Sequence, residues 1–212
     1  MHVDTYKFIH LHPQEKKLSI MKKVLLGMAV VIAASIAFTA FKPKEERKDL
    51  TSYAVLTDYS KVEWVGTKKS GFHTGAFKLK GGEVKLDANQ KLASGSFTID
   101  MSSLSLVNED APKFVDHLKT DDFFSVAKFG TATFDISNVE YTSESEAKIN
   151  GSLNLKGISV PVTFNALIRN ADDKRFFAQA FFSLDRTLWG INYGVPNVAK
   201  DVQVSVYLFA NK

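Results

Sequence analysis

Downstream of residue 20 the chain holds two histidines, His73 and His117, and they bound the metal and general-base chemistry open to it. A catalytic zinc takes about three protein ligands, so this pair would need a carboxylate such as Asp121 or Asp185 folded beside it. Neither HExxH nor, in that part of the chain, H-x-H spacing is present. The plainer reading hydrogen-bonds His73 at a strand end and leaves His117 on the surface. Without cysteine there is no disulfide, thiolate metal site, Cys nucleophile or lipidated anchor. No serine stands in a Gly-x-Ser-x-Gly elbow, and no GxxxxGK[ST] or GxGxxG loop cradles a phosphate. One group remains, Asp185-Arg186 followed by Trp189-Gly190-Ile191. Beside a large ring, a strand-end ion pair either pins a barrel rim, Arg186 pairing with Asp185 or Asp201, or meets an anionic head group. His73, Asp185 and Arg186 are the rim candidates, and no catalytic residue and no metal site is expected.

The elements that must carry these residues are strands. From Tyr53 the dominant period is two. Val62, Trp64 and Gly66 share a face, as do His73, Gly75, Phe77 and Leu79. Gly81-Gly82 then reads as a two-residue hairpin into residues 83–86. Past a polar turn at 87–91 the alternation returns in Ala93/Gly95/Phe97/Ile99/Met101, Ala132/Phe134/Ile136, Ile149/Gly151/Leu153/Leu155 and Val160/Val162/Phe164/Ala166/Ile168. Phe176/Ala178/Ala180/Phe182/Leu184 and Val202/Val204/Val206/Leu208 complete it. About eight strands with short turns at Gly157 and 170–174 suit a closed barrel or a sandwich. Between residues 102 and 128 the rhythm breaks: Asp110-Ala111-Pro112 opens a segment with Phe114, Val115 and Leu118 at helical spacing, which predicts a short helix over one barrel mouth.

From Phe72 onward there are fourteen phenylalanines. A solid sandwich would bury such rings against one another, whereas eight-stranded barrels enclose room for one ligand, lined mostly by apolar groups. Phe77, Phe97, Phe134 and Phe164 stand on the more apolar faces of their strands, and Phe123 and Phe124 fall beside the helix.

The net charge of +4 does not mark a nucleic-acid binder. Five of the 27 basic and two of the 23 acidic residues precede residue 41, so the rest is close to neutral with the signs interspersed. Met21-Lys22-Lys23, the apolar run 24–34 and the small residues Ser35 and Ala37 describe a secretory signal peptide over 21–37. The alternative is an uncleaved anchor, since 24–41 reaches the roughly 18 residues that begin to span a bilayer. Residues 1–20 read as an upstream extension, leaving open whether Met1 or Met21 is the true start. Residues 38–51 read as a charged linker, with the folded domain at 52–212.

Trp64-Val65-Gly66, His73-Thr74-Gly75-Ala76-Phe77, Ser96-Phe97-Thr98-Ile99-Asp100-Met101, the run from His117 to Phe124, the run from Gly151 to Gly157 and Asp185-Arg186 together resemble, in order, the blocks of the YceI-like polyisoprenoid-binding family. The resemblance covers the chain from Tyr53 onward. It implies an all-β, eight-stranded antiparallel lipocalin-like barrel with a helical element near one mouth. It also implies a tunnel for a long isoprenoid chain such as a quinone or polyprenyl phosphate, and a periplasmic or secreted location. The family brings no catalytic residues. Trp64 and Leu118, within the resembling blocks, and Trp189, beside Asp185-Arg186, join the six phenylalanines as expected tunnel lining.

The expectation is thus a non-catalytic carrier holding an isoprenoid or similar apolar lipid, with no catalytic cofactor and no nucleic-acid partner. Membrane proximity and a homodimer stay open. Two other readings remain: an enzyme or redox-linked factor acting on a lipid through His73 and His117, and a structural or stress-related module whose core is filled by its own rings.

Overall fold

Alternation commits each run after Tyr53 to a strand with one apolar face, and a sheet of such strands hides that face by closing on itself or by stacking. Here it closes. The computed structural model describes residues 49–107 and 109–212. The expected extension, the leader and residues 38–48 of the linker lie outside the described residues. The elements are β1 (Thr51–Val55), β2 (Lys61–Lys68), β3 (Gly71–Leu86), β4 (Leu92–Leu106), α1 (Pro112–Lys119), β5 (Thr131–Tyr141), β6 (Glu146–Leu155), β7 (Ile158–Ala171), β8 (Arg175–Asp185), a 3₁₀ turn (Arg186–Trp189) and β9 (Asp201–Asn211).

Hydrogen-bonded neighbours run β2, β9, β8, β7, β6, β5, β4, β3 and back to β2, every pair antiparallel. The short first strand, which the alternation alone does not separate from its flanks, extends the β2 position. Thr51 to Ala54 pair with Leu86 back to Glu83, and Ala54 and Val55 face Asn211 and Ala210. Ser60 bridges the break between β1 and β2: its hydroxyl donates to the Phe209 carbonyl at 3.1 Å and accepts from the Phe209 N–H at 2.9 Å. Nine strands therefore make the eight staves of one barrel. An 11-residue stave such as β9 spans about 33 Å at roughly 3.3 Å per residue, or about 25 Å of barrel height at the usual tilt.

The predicted hairpin at Gly81-Gly82 does not form. β3 runs straight through it, Gly81 pairing with Thr98 and Gly82 with Phe97, with register shifts on either side. Glycine inside a strand often marks a bulge or a sharp bend rather than a turn. Gly82 has φ 155, and a Cβ there would lie 2.6 Å from the Ser96 carbonyl and 3.0 Å from Phe97 Cα. The helix forms where predicted, with Pro112 in its first turn and Leu118 buried.

The two barrel ends differ. At one, the connections are short and the interior is filled by Val84, Leu86, Leu92, Ile149 and Phe176. The fully buried Tyr53 lies there too, its hydroxyl donating to the Asp172 carbonyl at 2.7 Å. At the other end, two of the connections are long: residues 107–130, which carry α1, and residues 186–200.

Replacing Gly82 with alanine sets a side chain against fixed backbone at an unfavourable φ, and is expected to destabilise the domain by about 1–3 kcal/mol. Urea melts of Gly82→Ala check this; an unchanged midpoint would mean the β3 bend has slack that its geometry denies.

Candidate functional site

The inward faces of the staves do not meet at the axis. They leave a cavity of about 460 Å³, within the roughly 300–1,000 Å³ of ligand pockets. Its wall is built of rings and aliphatic side chains. Phe97, Phe134, Phe164 and Phe182 form a row across five staves, β4 to β8, with centroids 6.4, 5.6 and 4.2 Å apart in turn. Phe134 reaches Phe164 over the intervening β6 because that strand offers Gly151. A Cβ there would come within 2.4 Å of the Phe134 ring.

Trp64 repeats the device. Its indole lies across Gly75, its register partner on β3, where a Cβ would fall 2.2 Å from the ring. Rings laid flat on bare backbone take up wall rather than axis. Trp64 itself is half-buried, yet its Nε1–H is buried and has no hydrogen-bond partner among the described residues. Leaving such a donor unpaired costs about 1–3 kcal/mol.

All nine expected lining residues, Trp64, Phe77, Phe97, Leu118, Phe123, Phe124, Phe134, Phe164 and Trp189, stand on this wall. Trp189, 1% exposed, is anchored by its own Nε1–H to the Leu153 carbonyl at 3.0 Å. Sequence reasoning missed Phe182, although it shares its alternation with Ala178 and Ala180. It also missed Tyr193, which sits in an irregular connection where no periodicity could mark it.

Of the three rim candidates, His73 and Arg186 reach the wall and Asp185 does not. His73 holds Glu109 through Nδ1 at 2.9 Å and packs on Phe114 at 4.4 Å, tying β3 to α1. His117 is not a bare surface group. It pairs with Asp122 at 2.9 Å and stands edge-on to Phe123 and Tyr193, at 5.2 and 4.8 Å. Asp121 faces Lys128 instead. Among the described residues no three His, Cys, Asp or Glu side chains converge as a metal site would need.

Arg186 corrects the expected ion pair. Only 7% exposed, it donates to four backbone carbonyls, those of Ala199, Ile191, Tyr193 and Val198, at 2.9, 2.6, 2.9 and 3.2 Å. Burial pushes its pKa down, and nearby Asp185 opposes that. Asp185 turns away to Lys200 at 2.8 Å and caps the 3₁₀ turn through Thr187. The guanidinium pins the 190–200 segment because five donors in a planar fork can hold several carbonyls at once, which a single carboxylate partner would have prevented.

The YceI-like domain matches the chain over residues 53–210. The chain belongs to the YceI-like domain family. A UPF0312 protein of Enterobacter sp. (strain 638) is 32% identical over 170 residues, covering 72% of this chain and 76% of that protein. A UPF0312 protein of Ectopseudomonas mendocina (strain ymp) is 36% identical over 93 residues, 43% of this chain and about half, 47%, of the relative. Among solved structures, Burkholderia cenocepacia BcnA superposes with a TM-score of 0.65 at 25% identity, over 74% of this chain and 99% of that one. A polyisoprenoid binding domain from Saccharophagus degradans implicated in plant cell wall breakdown gives 0.59 at 14% identity, over 75% of this chain and 97% of that one, and shows the shared fold.

In this YceI-like domain the blocks that carried the resemblance do two jobs. Trp64 with Gly75, and Phe97, shape the cavity wall, whereas Asp185 and Arg186 build the connection beside the mouth.

Arg186→Leu keeps bulk but strands buried carbonyls, so it is expected to destabilise the domain by about 2–4 kcal/mol and to raise amide exchange across 190–200. An exchange pattern unchanged in that segment would mean the pin is not what orders it. Lys200, with the Thr187 hydroxyl, holds the Asp185 carboxyl down at about 2 from the ordinary 3.8. A depressed folded pKa gives stability that is complete above the unfolded value and fades as pH falls toward about 2. The Asp185 carboxyl ¹³C shift should therefore stay ionised at pH 3 and titrate only near 2; a midpoint near 4 would break this assignment.

Proposed function

We propose that the protein is an exported, non-catalytic carrier that holds an isoprenoid or similar apolar lipid, a quinone included, inside the barrel. One observation carries this reading. The cavity is walled mostly by aromatic and aliphatic side chains, and His73, His117 and Arg186 on that wall are engaged by carboxylates or by backbone carbonyls. Burial then supplies the affinity. A chain of about 15 carbons gains roughly 12 kcal/mol at about 0.8 kcal/mol per CH₂, against an association cost of about 4–15 kcal/mol. A barrel about 25 Å tall suits an extended chain better than a compact ring system. The fold shared with the Saccharophagus degradans polyisoprenoid binding domain supports the same ligand class, and the signal-like residues 21–37 support a periplasmic or secreted location.

Lipid retained through purification from the native host, read by native mass spectrometry, tests the reading. Phe164→Ala is expected to lose that lipid while costing the delipidated domain less than the roughly 3–5 kcal/mol of a ring cut from a packed core, because space already lies beside it. Absence of lipid from the wild-type protein, together with a full core-sized penalty in the variant, would return the rings to ordinary packing.

A further inference from the structure

Exposed apolar side chains are not spread evenly over the barrel. Of the eight large ones exposed among the described residues, five stand at the mouth end: Phe72, Ile158, Leu188, Tyr193 and Val195, each 43–64% exposed. They sit on or beside three connections, β2–β3, β6–β7 and β8–β9. Because β2 pairs with β9 and β8 with β7, these connections follow one another round the rim. The Lys69 N–H donates to the Asn197 carbonyl at 3.3 Å, and the Ile158 side chain lies 3.9 Å from where a Cβ on Gly190 would stand. The fourth connection, residues 107–130, completes the rim and holds none of the five.

Charge divides the rim in the same way. Residues 66–73, 155–160 and 186–200 contain no Asp or Glu. Lys68 and Lys69 meet no carboxylate within ion-pair distance among the described residues. Lys156 donates to a carbonyl, that of Asp121, at 3.1 Å. Residues 107–130 instead carry five carboxylates against three lysines, and the turns of the filled end, 87–91, 142–145 and 172–174, carry four against two.

We propose that this arc of the rim docks on an anionic lipid bilayer, with the five apolar side chains at headgroup depth and Lys68, Lys69 and Lys156 against the lipid phosphates. An anionic surface attracts each lysine near it, and apolar side chains beside such lysines settle into the boundary between headgroups and acyl chains. Tyr193 suits that boundary, with an apolar ring and a polar tip. The carboxylates of 107–130 and of the filled end are repelled by the same surface, so charge also sets the orientation. A bilayer meets apolar side chains and cations together and asks for no matched shape. Lys68 and Tyr193 line the cavity as well as the arc, so the docked barrel opens against the bilayer. This surface goes beyond the carrier reading and does not need the cavity to be filled.

The barrel between Thr51 and Asn211 closes on itself around its own core, so the experiment uses residues 38–212, without the apolar run 24–34 that would enter bilayers by itself. Vesicles of phosphatidylcholine with phosphatidylglycerol are compared with vesicles of phosphatidylcholine alone. The wild type should co-sediment with the first far more than with the second, and added salt should release it. Lys68→Gln and Lys69→Gln, both at exposed positions, should each weaken binding about fivefold. The chain has no cysteine, so a single introduced one carries a nitrobenzoxadiazole dye at one place. On the anionic vesicles the dye at Leu188→Cys should shift to the blue, and the dye at Asn89→Cys, on a turn of the filled end, should not. Equal binding to both kinds of vesicle, lysine variants that bind as the wild type does, or equal shifts at the two dyes would each overturn the docking. A blue shift at Leu188→Cys without vesicles, together with a dimer in sedimentation equilibrium, would give the arc to a second copy and overturn it too. Native lipid retained by a barrel that ignores vesicles overturns the docking and leaves the carrier reading; a barrel that docks as described but holds no lipid supports the docking and removes the carrier reading.

Discussion

A barrel closed by backbone hydrogen bonds consumes the peptide groups of its staves and leaves its interior with almost nothing for a polar side chain to bond. Everything else in this fold answers to that constraint, since a buried polar group without a partner is costly. Along each stave the inward positions are apolar. Two polar atoms that turn inward are met by carbonyls: Tyr53 finds that of Asp172 at the filled end, and Trp189 finds that of Leu153 on β6, whereas the Trp64 Nε1–H has no partner among the described residues. Arg186, the costliest group to bury, is met by four carbonyls of a connection folded around it.

The same closure decides between a packed core and a lined cavity, and the deciding residues are the small ones. Eight staves set a radius that side chains of ordinary size just fill. Fourteen phenylalanines from Phe72 onward should overfill it. They do not, partly because some point outward, as the exposed Phe181 and the Phe177–Phe209 stack do. The inward ones avoid crowding because Gly75 and Gly151 let Trp64 and Phe134 lie against the wall. Replace either glycine by any other residue and the ring must swing toward the axis, into the space a ligand would occupy. Cavity volume is therefore written in glycine as much as in phenylalanine.

This explains which parts of the molecule the sequence makes legible. Period-two alternation reports which face of a strand is apolar, and in a closed barrel that face is the interior. Phe77, Phe97, Phe134 and Phe164 can thus be placed on the wall from spacing alone. The helix announces itself through Pro112 and the spacing of Phe114, Val115 and Leu118. What spacing cannot report is a contact whose geometry is set by the far side of a ring closure. Gly81-Gly82 looks like a turn because local chemistry favours one, and only pairing with Thr98 and Phe97 keeps the strand running. Asp185-Arg186 looks like an ion pair because the two are adjacent. Their partners instead come from Lys200 and from carbonyls up to thirteen residues away, in a connection with no periodicity to read. Tyr193 escapes notice for the same reason.

The two long connections at the mouth are held in different ways. The 186–200 connection is held from within by the buried guanidinium and is sewn to β2 by the Ala199 N–H to the Thr67 carbonyl at 2.9 Å. The 107–130 connection is held to the barrel wall by α1 and by His73 with Glu109. Where the two meet, rings do the joining: His117, Phe123 and Tyr193 stand within 4.8–5.2 Å of one another. An aromatic pair contributes about 0.5–1.5 kcal/mol beyond its buried area, less than a hydrogen bond to a charged group at about 1.5–3 kcal/mol. A ring pair in this seam therefore contributes less than a charged hydrogen bond such as those that hold the 186–200 connection. A long apolar chain passing that way exchanges ring–ring contact for ring–chain contact and exposes little new surface to water. Arg186 with its four carbonyls, Asp185 with Lys200 and His73 with Glu109 hold the frame on either side of that apolar seam.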